Sequence, residues 1–126
     1  MKVLYLPLKK EWYEMIESGV KTEEYREIKP YWVKRLCPCM SECSNGHWSN
    51  PGRCINTCRA LHGHMNYFYR GKRIGWYTHV RFSYGYTRRT MTFEIDSITI
   101  GKGKPEWGAP DKEVFIIKLG KRIIEQ

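Results

Sequence analysis

The chain has 126 residues, 41% hydrophobic and 28% charged, so one packed domain is expected and a disordered chain is excluded. It lacks an apolar run near the roughly 20 residues that span a bilayer, and its N-terminal apolar stretch is too short for a signal peptide, so we expect a cytoplasmic protein without a membrane partner. The net charge is +9, and the stretch from Lys72 to Arg89 is basic without any acidic residue; this is typical of nucleic-acid-binding surfaces, with a merely solubilising charge as the alternative.

The first part of the chain predicts two strands and two helices in alternation. Residues 2–6 alternate as a strand does. Residues 9–18 place Trp12, Met15 and Ile16 at helical spacing, and Gly19 follows at the position where helices commonly end. Residues 22–28 then predict a strand rich in charged side chains. Residues 30–36 begin with a proline, which suits the first turn of a short helix.

The second half of the chain predicts further strands. The sequence around Gly71 suggests a hairpin, and residues 80–86 alternate with Val80, Phe82, Tyr84 and Tyr86 on one face. Residues 91–100 and 113–119 predict two more strands. About five strands with two or three short helices in a small chain favour an α+β fold built on a small, barrel-like sheet.

The charged stretch between the two predicted helices is a candidate site. On a strand, Thr22, Glu24 and Arg26 point to one side, so the carboxylate of Glu24 and the guanidinium of Arg26 could form a bridge. Such a pair offers an acceptor beside a planar donor group, which matches the edge of a nucleobase. Lys21 could reach the same place or a phosphate, and a desolvated lysine can act as a base. The alternative is a solvated strand with a surface ion pair worth about 0–1 kcal/mol.

The order of residues in this stretch resembles a known family. A tryptophan-bearing helix precedes Ser18-Gly19-x-Lys21-Thr22-x-Glu24-x-Arg26, and this resembles the opening motif of the ASCH domain family. The resemblance continues through four later stretches, which are similar to those of ASCH members common in phages and gut bacteria. They cover residues 23–36, 81–86, 91–110 and 113–123.

The resemblance implies one ASCH domain over residues 1–126 with a PUA-like fold, a small β-barrel that has a ligand cleft beside its first helix. It also implies binding of RNA or a nucleotide in that cleft. Trp12 and Tyr25 would support the polar centre formed by the motif. The candidate ligand-binding residues of the first half are Trp12, Lys21, Thr22, Glu24, Tyr25 and Arg26.

Aromatic and basic residues of the second half extend this set of candidates. Tyr86, Arg88 and Arg89 combine a stacking surface with charges that attract phosphate, although a solvated basic turn is the alternative for the two arginines. Trp107 lies in a loop rich in glycine and proline, where it either pins the loop down or forms a wall of the cleft. All four are therefore predicted ligand contacts.

The second hypothesis is an enzyme. Some small ASCH members remove the acetyl group from N4-acetylcytidine, with the motif's lysine as base, a threonine three residues later as nucleophile and a later glutamate assisting. Lys21 matches the lysine, but Glu24 occupies the nucleophile position, where a carboxylate could instead activate water as a general base. Glu94 is the candidate for the assisting glutamate. The sequence therefore favours a binding module over an amidohydrolase that uses Lys21 and Glu24.

Residues 37–65 form a predicted insertion rich in cysteine and histidine, outside the ASCH-like pattern. Two Cys-x3-Cys pairs separated by ten residues could hold one Zn²⁺, which would supply the ordering free energy of a segment with little apolar periodicity. Free thiols and disulfides are the alternatives, and docking of a protein partner through this segment is a third hypothesis for its role. The candidate zinc ligands are Cys39, Cys43, Cys54 and Cys58, with Cys37 spare.

Overall fold

The computed structural model describes residues 3–36 and 77–124 and, between them, the short segments 68–69 and 72–73. The predicted insertion 37–65 lies outside the described residues, and so do the candidate zinc ligands Cys39, Cys43, Cys54 and Cys58 and the spare Cys37.

In the described part of the chain, strands and helices alternate at first, and the later elements are almost all strands. A short 3-10 helix, Pro105–Trp107, lies between the last two strands. The elements are β1 (Val3–Leu8), α1 (Lys10–Glu17), β2 (Glu23–Arg26), α2 (Pro30–Leu36), β3 (Phe68–Tyr69), β4 (Lys72–Arg73), β5 (His79–Tyr84), β6 (Thr90–Lys102) and β7 (Glu113–Ile123).

Most predicted elements are confirmed, with shifted ends. The helix over 30–36 has the predicted bounds, and the predicted hairpin around Gly71 is the antiparallel pair β3–β4. The predicted strand over 22–28 is shorter, because β2 contains only the four residues Glu23–Arg26. No helix in the described part of the chain has the length and apolar character needed to cross a membrane.

Five strands of the described part of the chain form one curled, mixed sheet with the character of a half-barrel, so the α+β class is confirmed and the sheet is consistent with a barrel-like fold. The strand order is β1-β5-β6-β7-β2; β1 pairs with β5 in parallel, and the other neighbours are antiparallel. The two edge strands are thus β1 and β2, and α1 connects them along the chain.

The main core lies between α1 and the sheet. α1 contributes Tyr13 and Ile16, which are almost fully buried, whereas Trp12 is half-buried. Strand alternation supplies most of the rest, as in β6, where Met91, Phe93 and Ile95 are buried as their spacing predicts. The buried members of this core are Leu4, Leu6, Leu8, Tyr13, Ile16, Leu36, Val80, Phe82, Met91, Phe93, Ile95, Ile98, Ile100, Phe115 and Ile117.

Candidate functional site

The turn that ends α1 directs the side chain of Lys21 into the interior of the protein. Gly19 adopts a left-handed φ of 86°, which residues with a β-carbon rarely adopt. Its N–H donates to the carbonyl of Ile16 (3.1 Å), and the N–H of Lys21 donates to the carbonyl of Met15 (3.0 Å). The chain therefore turns back at the glycine, and the side chain of Lys21 enters the interior, where it is 1% exposed.

The ammonium group of Lys21 has two hydrogen-bond acceptors and two aromatic rings as neighbours. Its Nζ lies 2.8 Å from Oε1 of Glu24 and 2.6 Å from the backbone carbonyl oxygen of Trp107. It also lies 4.7 Å from the ring centre of Trp12 and 5.4 Å from that of Tyr25, distances at which a cation is attracted to an aromatic face. Lys21 thus ties together α1, β2 and the loop that follows β6.

Glu24 joins this lysine to an arginine. Its side chain is 6% exposed, and its second oxygen, Oε2, accepts a hydrogen bond of 2.8 Å from Nη1 of Arg26. The bridge that β-strand spacing predicts between Glu24 and Arg26 is therefore confirmed. Two cations thus flank one carboxylate, and we call Lys21, Glu24 and Arg26 the charged triad, which has a formal excess of one positive charge. A buried carboxylate with partners on both oxygens is well stabilised.

Arg26 is the outermost member of the charged triad. The same Nη1 also donates to the backbone carbonyl of Tyr25 at 2.7 Å, so both of its hydrogens are directed at the protein. The guanidinium carbon lies 5.4 Å from the ring centre of Trp32, and the side chain is 19% exposed. Among the described residues, Nε and Nη2 have no hydrogen-bond partner, so two adjacent donor groups remain for a ligand.

A cleft of about 490 Å³ opens beside Arg26, between the end of β2, the first turn of α2 and the loop before β7. Lys21 and Glu24 are not among its lining residues and stand behind Arg26. Besides Arg26, its charged walls are Lys29 and Glu27, and the Nζ of Lys112 lies 4.0 Å from Glu27. The complete lining is Tyr25, Arg26, Glu27, Lys29, Trp32, Gly108, Pro110 and Val114.

The loop that forms one wall of the cleft is held by close packing. The Tyr25 hydroxyl donates to Oε1 of Glu23 (2.7 Å) and accepts from the backbone N–H of Lys104 (3.0 Å), and burial raises the pKa of this phenol. A β-carbon at Gly103 would lie 2.6 Å from Cζ of Tyr25 and 2.7 Å from Cβ of Ala109, so only glycine fits there. The loop therefore packs so closely against β2 that a β-carbon at position 103 has no space.

Trp107 has the first of its two predicted roles. It packs against the small cluster of Tyr25, Ala109 and Val114, and its carbonyl accepts the hydrogen bond from Lys21. It does not line the cleft, but it pins the loop whose next residue, Gly108, does. Trp12 supports the same loop, because a β-carbon at Gly108 would lie 3.0 Å from its ring.

Several predicted contacts lie elsewhere. Thr22 precedes β2 with an exposed side chain, although the predicted strand placed it beside Glu24 and Arg26. Tyr86 does not share the face of β5, because that strand ends at Tyr84 and Tyr86 is 97% exposed in the following turn. Three further candidates lie away from the cleft lining: Arg88 and Arg89 in the same turn, and Glu94, exposed on β6.

Six of the residues that line the cleft escaped the sequence-based prediction: Glu27, Lys29, Trp32, Gly108, Pro110 and Val114. The sequence did carry a signal for Lys29 and Trp32. Only three residues separate β2 from α2, so the first turn of that helix must lie beside the end of the strand. Trp32 is six positions after Arg26 and its backbone N–H donates to the carbonyl of Lys29 in this first turn. Glycine and proline of the distant loop, Gly108 and Pro110, carried no such local signal.

The described residues contain no group of three or more histidine, cysteine, aspartate or glutamate side chains that could hold a metal ion. Comparison with protein-family models finds no match, and comparisons with curated proteins and with solved structures find none either.

Proposed function

We propose that the chain is an ASCH-type module with a PUA-like fold that binds RNA or a nucleotide in the cleft beside β2. Three observations support this: the motif over residues 18–26, the curled barrel-like sheet, and a cleft within the range of about 300–1,000 Å³ usual for small-molecule sites. The cleft also lies close to the first helix, since Trp12 of α1 contacts its Gly108 wall.

The observation that carries the proposal is the arrangement of Arg26. Arg26 lines the cleft, Glu24 and the carbonyl of Tyr25 hold its Nη1, and its guanidinium carbon lies 5.4 Å from the ring centre of Trp32, so its remaining donors have little freedom. A planar donor pair held in advance loses less entropy when it forms two parallel hydrogen bonds. Lys21 acts indirectly, because its ammonium group binds the same carboxylate that positions Arg26.

Nucleotide chemistry matches these groups. The Nε and Nη2 donors suit two adjacent acceptors, which guanine offers as O6 and N7. Trp32 supplies a flat aromatic surface, and the exposed Lys29 on the rim suits a phosphate. Guanine is thus the favoured base, whereas a purely phosphate-directed Arg26 would not discriminate among bases.

Calorimetric titration with the four nucleoside 5′-monophosphates tests the proposal. We expect 5′-GMP to bind most tightly and Arg26→Lys, which keeps the charge but loses the donor pair, to weaken it about tenfold or more. Arg35→Lys is the matched control, since its guanidinium stacks on Tyr31 (3.5 Å), outside the cleft lining. If neither the nucleotides nor single-stranded RNA binds, or if both arginine variants behave alike, the proposal is wrong.

The second candidate is an amidohydrolase acting on N4-acetylcytidine or a similar acylated nucleoside. The contact of 2.8 Å between Lys21 and Glu24 favours it, because an amine and a carboxylate in contact could share a proton. It ranks second because both groups are buried behind Arg26, where a substrate in the cleft does not reach them. Deacetylation of N4-acetylcytidine that Lys21→Ala abolishes would reverse this order.

A further inference from the structure

A second pocket of the described structure lies where β6 begins and β7 ends, and it shares no lining residue with the cleft. The pairing of these strands extends only to Thr92 opposite Ile123, so Thr90 and Met91 have no partner on β7 within the described residues. The space beside them is a pocket of about 160 Å³, which we call the rim pocket. This volume is below the range of about 300–1,000 Å³ usual for drug-sized ligands, so it suits a small one. The lining residues are Thr90, Met91, Thr92, Arg122, Ile123 and Ile124.

The charged group of the rim pocket is Arg122. This residue is exposed, and among the described residues no hydrogen bond or ion pair engages its guanidinium. Arg89, which directly precedes β6, differs because it lies 2.7 Å from Oε1 of Glu17 and outside the pocket lining. No aspartate or glutamate is among the described residues that line the pocket. Arg122 therefore presents an uncompensated charge and a planar set of donors to an anion.

One hydroxyl group of the rim pocket is also available to a ligand. Thr90 is exposed, and its hydroxyl makes no hydrogen bond with the part of the chain that the structure describes. Thr92 differs, because it is 2% exposed and its Oγ1 accepts a hydrogen bond of 2.9 Å from Nε of Arg81. The polar side of the pocket is thus formed by Arg122 and Thr90.

Half of the lining is apolar. Met91 belongs to the main core, Ile123 is half-buried, and Ile124 is 76% exposed. A ligand with an apolar part gains free energy when it removes the Ile124 side chain from water. Inorganic phosphate would match the polar side of the pocket but would leave this apolar side uncovered. A ligand that fits both sides therefore carries an anionic group and a short hydrocarbon chain.

We propose that the rim pocket binds a small carboxylate with an aliphatic tail. A guanidinium and a carboxylate form two parallel hydrogen bonds, so Arg122 holds both carboxylate oxygens. The hydroxyl of Thr90 donates a further hydrogen bond to one of them, and the aliphatic tail covers Met91 and Ile124. This site is separate from the cleft and does not depend on the function proposed there.

Two sources supply this chemistry: a free short-chain acid, and the carboxy-terminal residue of a polypeptide whose last side chain is aliphatic. Two probes distinguish them. N-acetyl-leucine carries the carboxylate, the branched tail and a peptide-like amide, whereas 4-methylpentanoate carries the same carboxylate and tail without the amide. Equal affinities would identify a free acid as the ligand, and binding of N-acetyl-leucine at least about fivefold tighter would identify a polypeptide terminus, since the amide then adds hydrogen bonds.

NMR titration of the isotope-labelled full chain with N-acetyl-leucine tests the inference. We expect the Nε–H signal of Arg122 and the methyl signals of Ile124 to shift together and to saturate at millimolar concentrations, because a ligand of about twelve non-hydrogen atoms gains limited affinity. The amide of N-acetyl-leucine, which lacks the negative charge, should bind about tenfold more weakly or not at all. Inorganic phosphate and acetate, which lack the tail, should each bind roughly fivefold more weakly or less.

Arg122→Gln should weaken binding of N-acetyl-leucine about tenfold, and Ile124→Ala about threefold. Lys121→Gln is the matched control, because it removes one positive charge from the neighbouring exposed residue outside the pocket lining. It should stay within about twofold of the wild type, since salt screens a charge that does not contact the ligand. Arg122, Ile124 and Lys121 are exposed, so all three variants should fold, which circular dichroism checks.

Three results would overturn the inference. The first is that neither carboxylate probe shifts the signals of Arg122 and Ile124. The second is that the uncharged amide or inorganic phosphate binds as tightly as N-acetyl-leucine, because the pocket would then not select for a carboxylate with a tail. The third is that Arg122→Gln and Lys121→Gln have equal effects. None of these results bears on nucleotide binding in the cleft, which is measured with different probes.

Discussion

We expect replacement of Lys21 by methionine to lower the stability of the fold and to leave ligand binding nearly unchanged. The substitution keeps an unbranched side chain of similar length and removes the ammonium, which lies 2.8 Å from Glu24 and 2.6 Å from the carbonyl of Trp107. Removal of one partner from a buried ion pair costs about 3–5 kcal/mol. Because Glu24 keeps Arg26 as a partner on its other oxygen, we expect the lower end, about 3 kcal/mol.

Urea denaturation followed by circular dichroism measures this loss. For a chain of this length, about 3 kcal/mol corresponds to a decrease in Tm of roughly 10 °C. Lys10→Met is the matched control, since the Lys10 side chain is 73% exposed and its Nζ lies 4.0 Å from Glu14. That exposed pair is worth about 0.5 kcal/mol or less.

Binding of 5′-GMP to the folded Lys21→Met variant should remain within a few-fold of wild type, because Arg26 is still held by Glu24 and the carbonyl of Tyr25. An unfolding midpoint equal to that of the wild type would refute the assignment of Lys21 as a buried link between α1, β2 and the loop. A stable variant that has lost binding or activity would instead give Lys21 a direct role in ligand chemistry.

Three other predictions concern the loop, pH and metal. Gly103→Ala forces a β-carbon against Tyr25 and should cost about 1–3 kcal/mol in urea denaturation, whereas Gly101→Ala, with its nearest neighbour at 3.5 Å, should be close to neutral; equal effects would contradict the packing argument. Burial raises the pKa of Tyr25, so the folded chain holds the phenol proton more tightly than the unfolded chain does. The contribution of this group to the free energy of unfolding is complete below about pH 10, where unfolded tyrosine ionises, and it is lost as pH rises towards the folded pKa. Tyr25→Phe should therefore flatten the loss of stability above about pH 10; a slope identical to that of the wild type would contradict this. For the zinc hypothesis, elemental analysis of chelator-free protein should find about one Zn²⁺ per chain, reduced in Cys54→Ser; zinc that is substoichiometric and unchanged by the substitution would exclude the site.

Local sequence rules predicted the charged triad well. Strand spacing placed Glu24 beside Arg26, and Gly19 marked the end of α1 that carries Lys21 inward. The same rules missed the burial of Lys21 and Glu24, because the carbonyl that completes the lysine's environment belongs to Trp107, 86 residues away. Partners at that distance leave no trace in local periodicity.

The register of α1 shows a related limit. Helical spacing favoured Trp12, Met15 and Ile16 as the apolar face, but the structure buries Tyr13 with Ile16. Tyr13 is covered by Tyr84, whose ring meets it edge-on at 5.3 Å, and this partner comes from β5. A helix with aromatic side chains at adjacent positions has two candidate faces, and only tertiary packing selects between them.

Ligand contact at Arg26 is most directly measured by NMR spectra of the arginine Nε–H and tryptophan indole N–H groups during titration with 5′-GMP. Arg26 and Trp32 lie on the cleft wall, whereas Arg35 stacks on Tyr31 outside the cleft lining. The proposed function predicts that the Nε signal of Arg26 and the indole signal of Trp32 shift together and saturate, while the Nε signal of Arg35 stays in place. Saturating binding that leaves both cleft signals unmoved would contradict it.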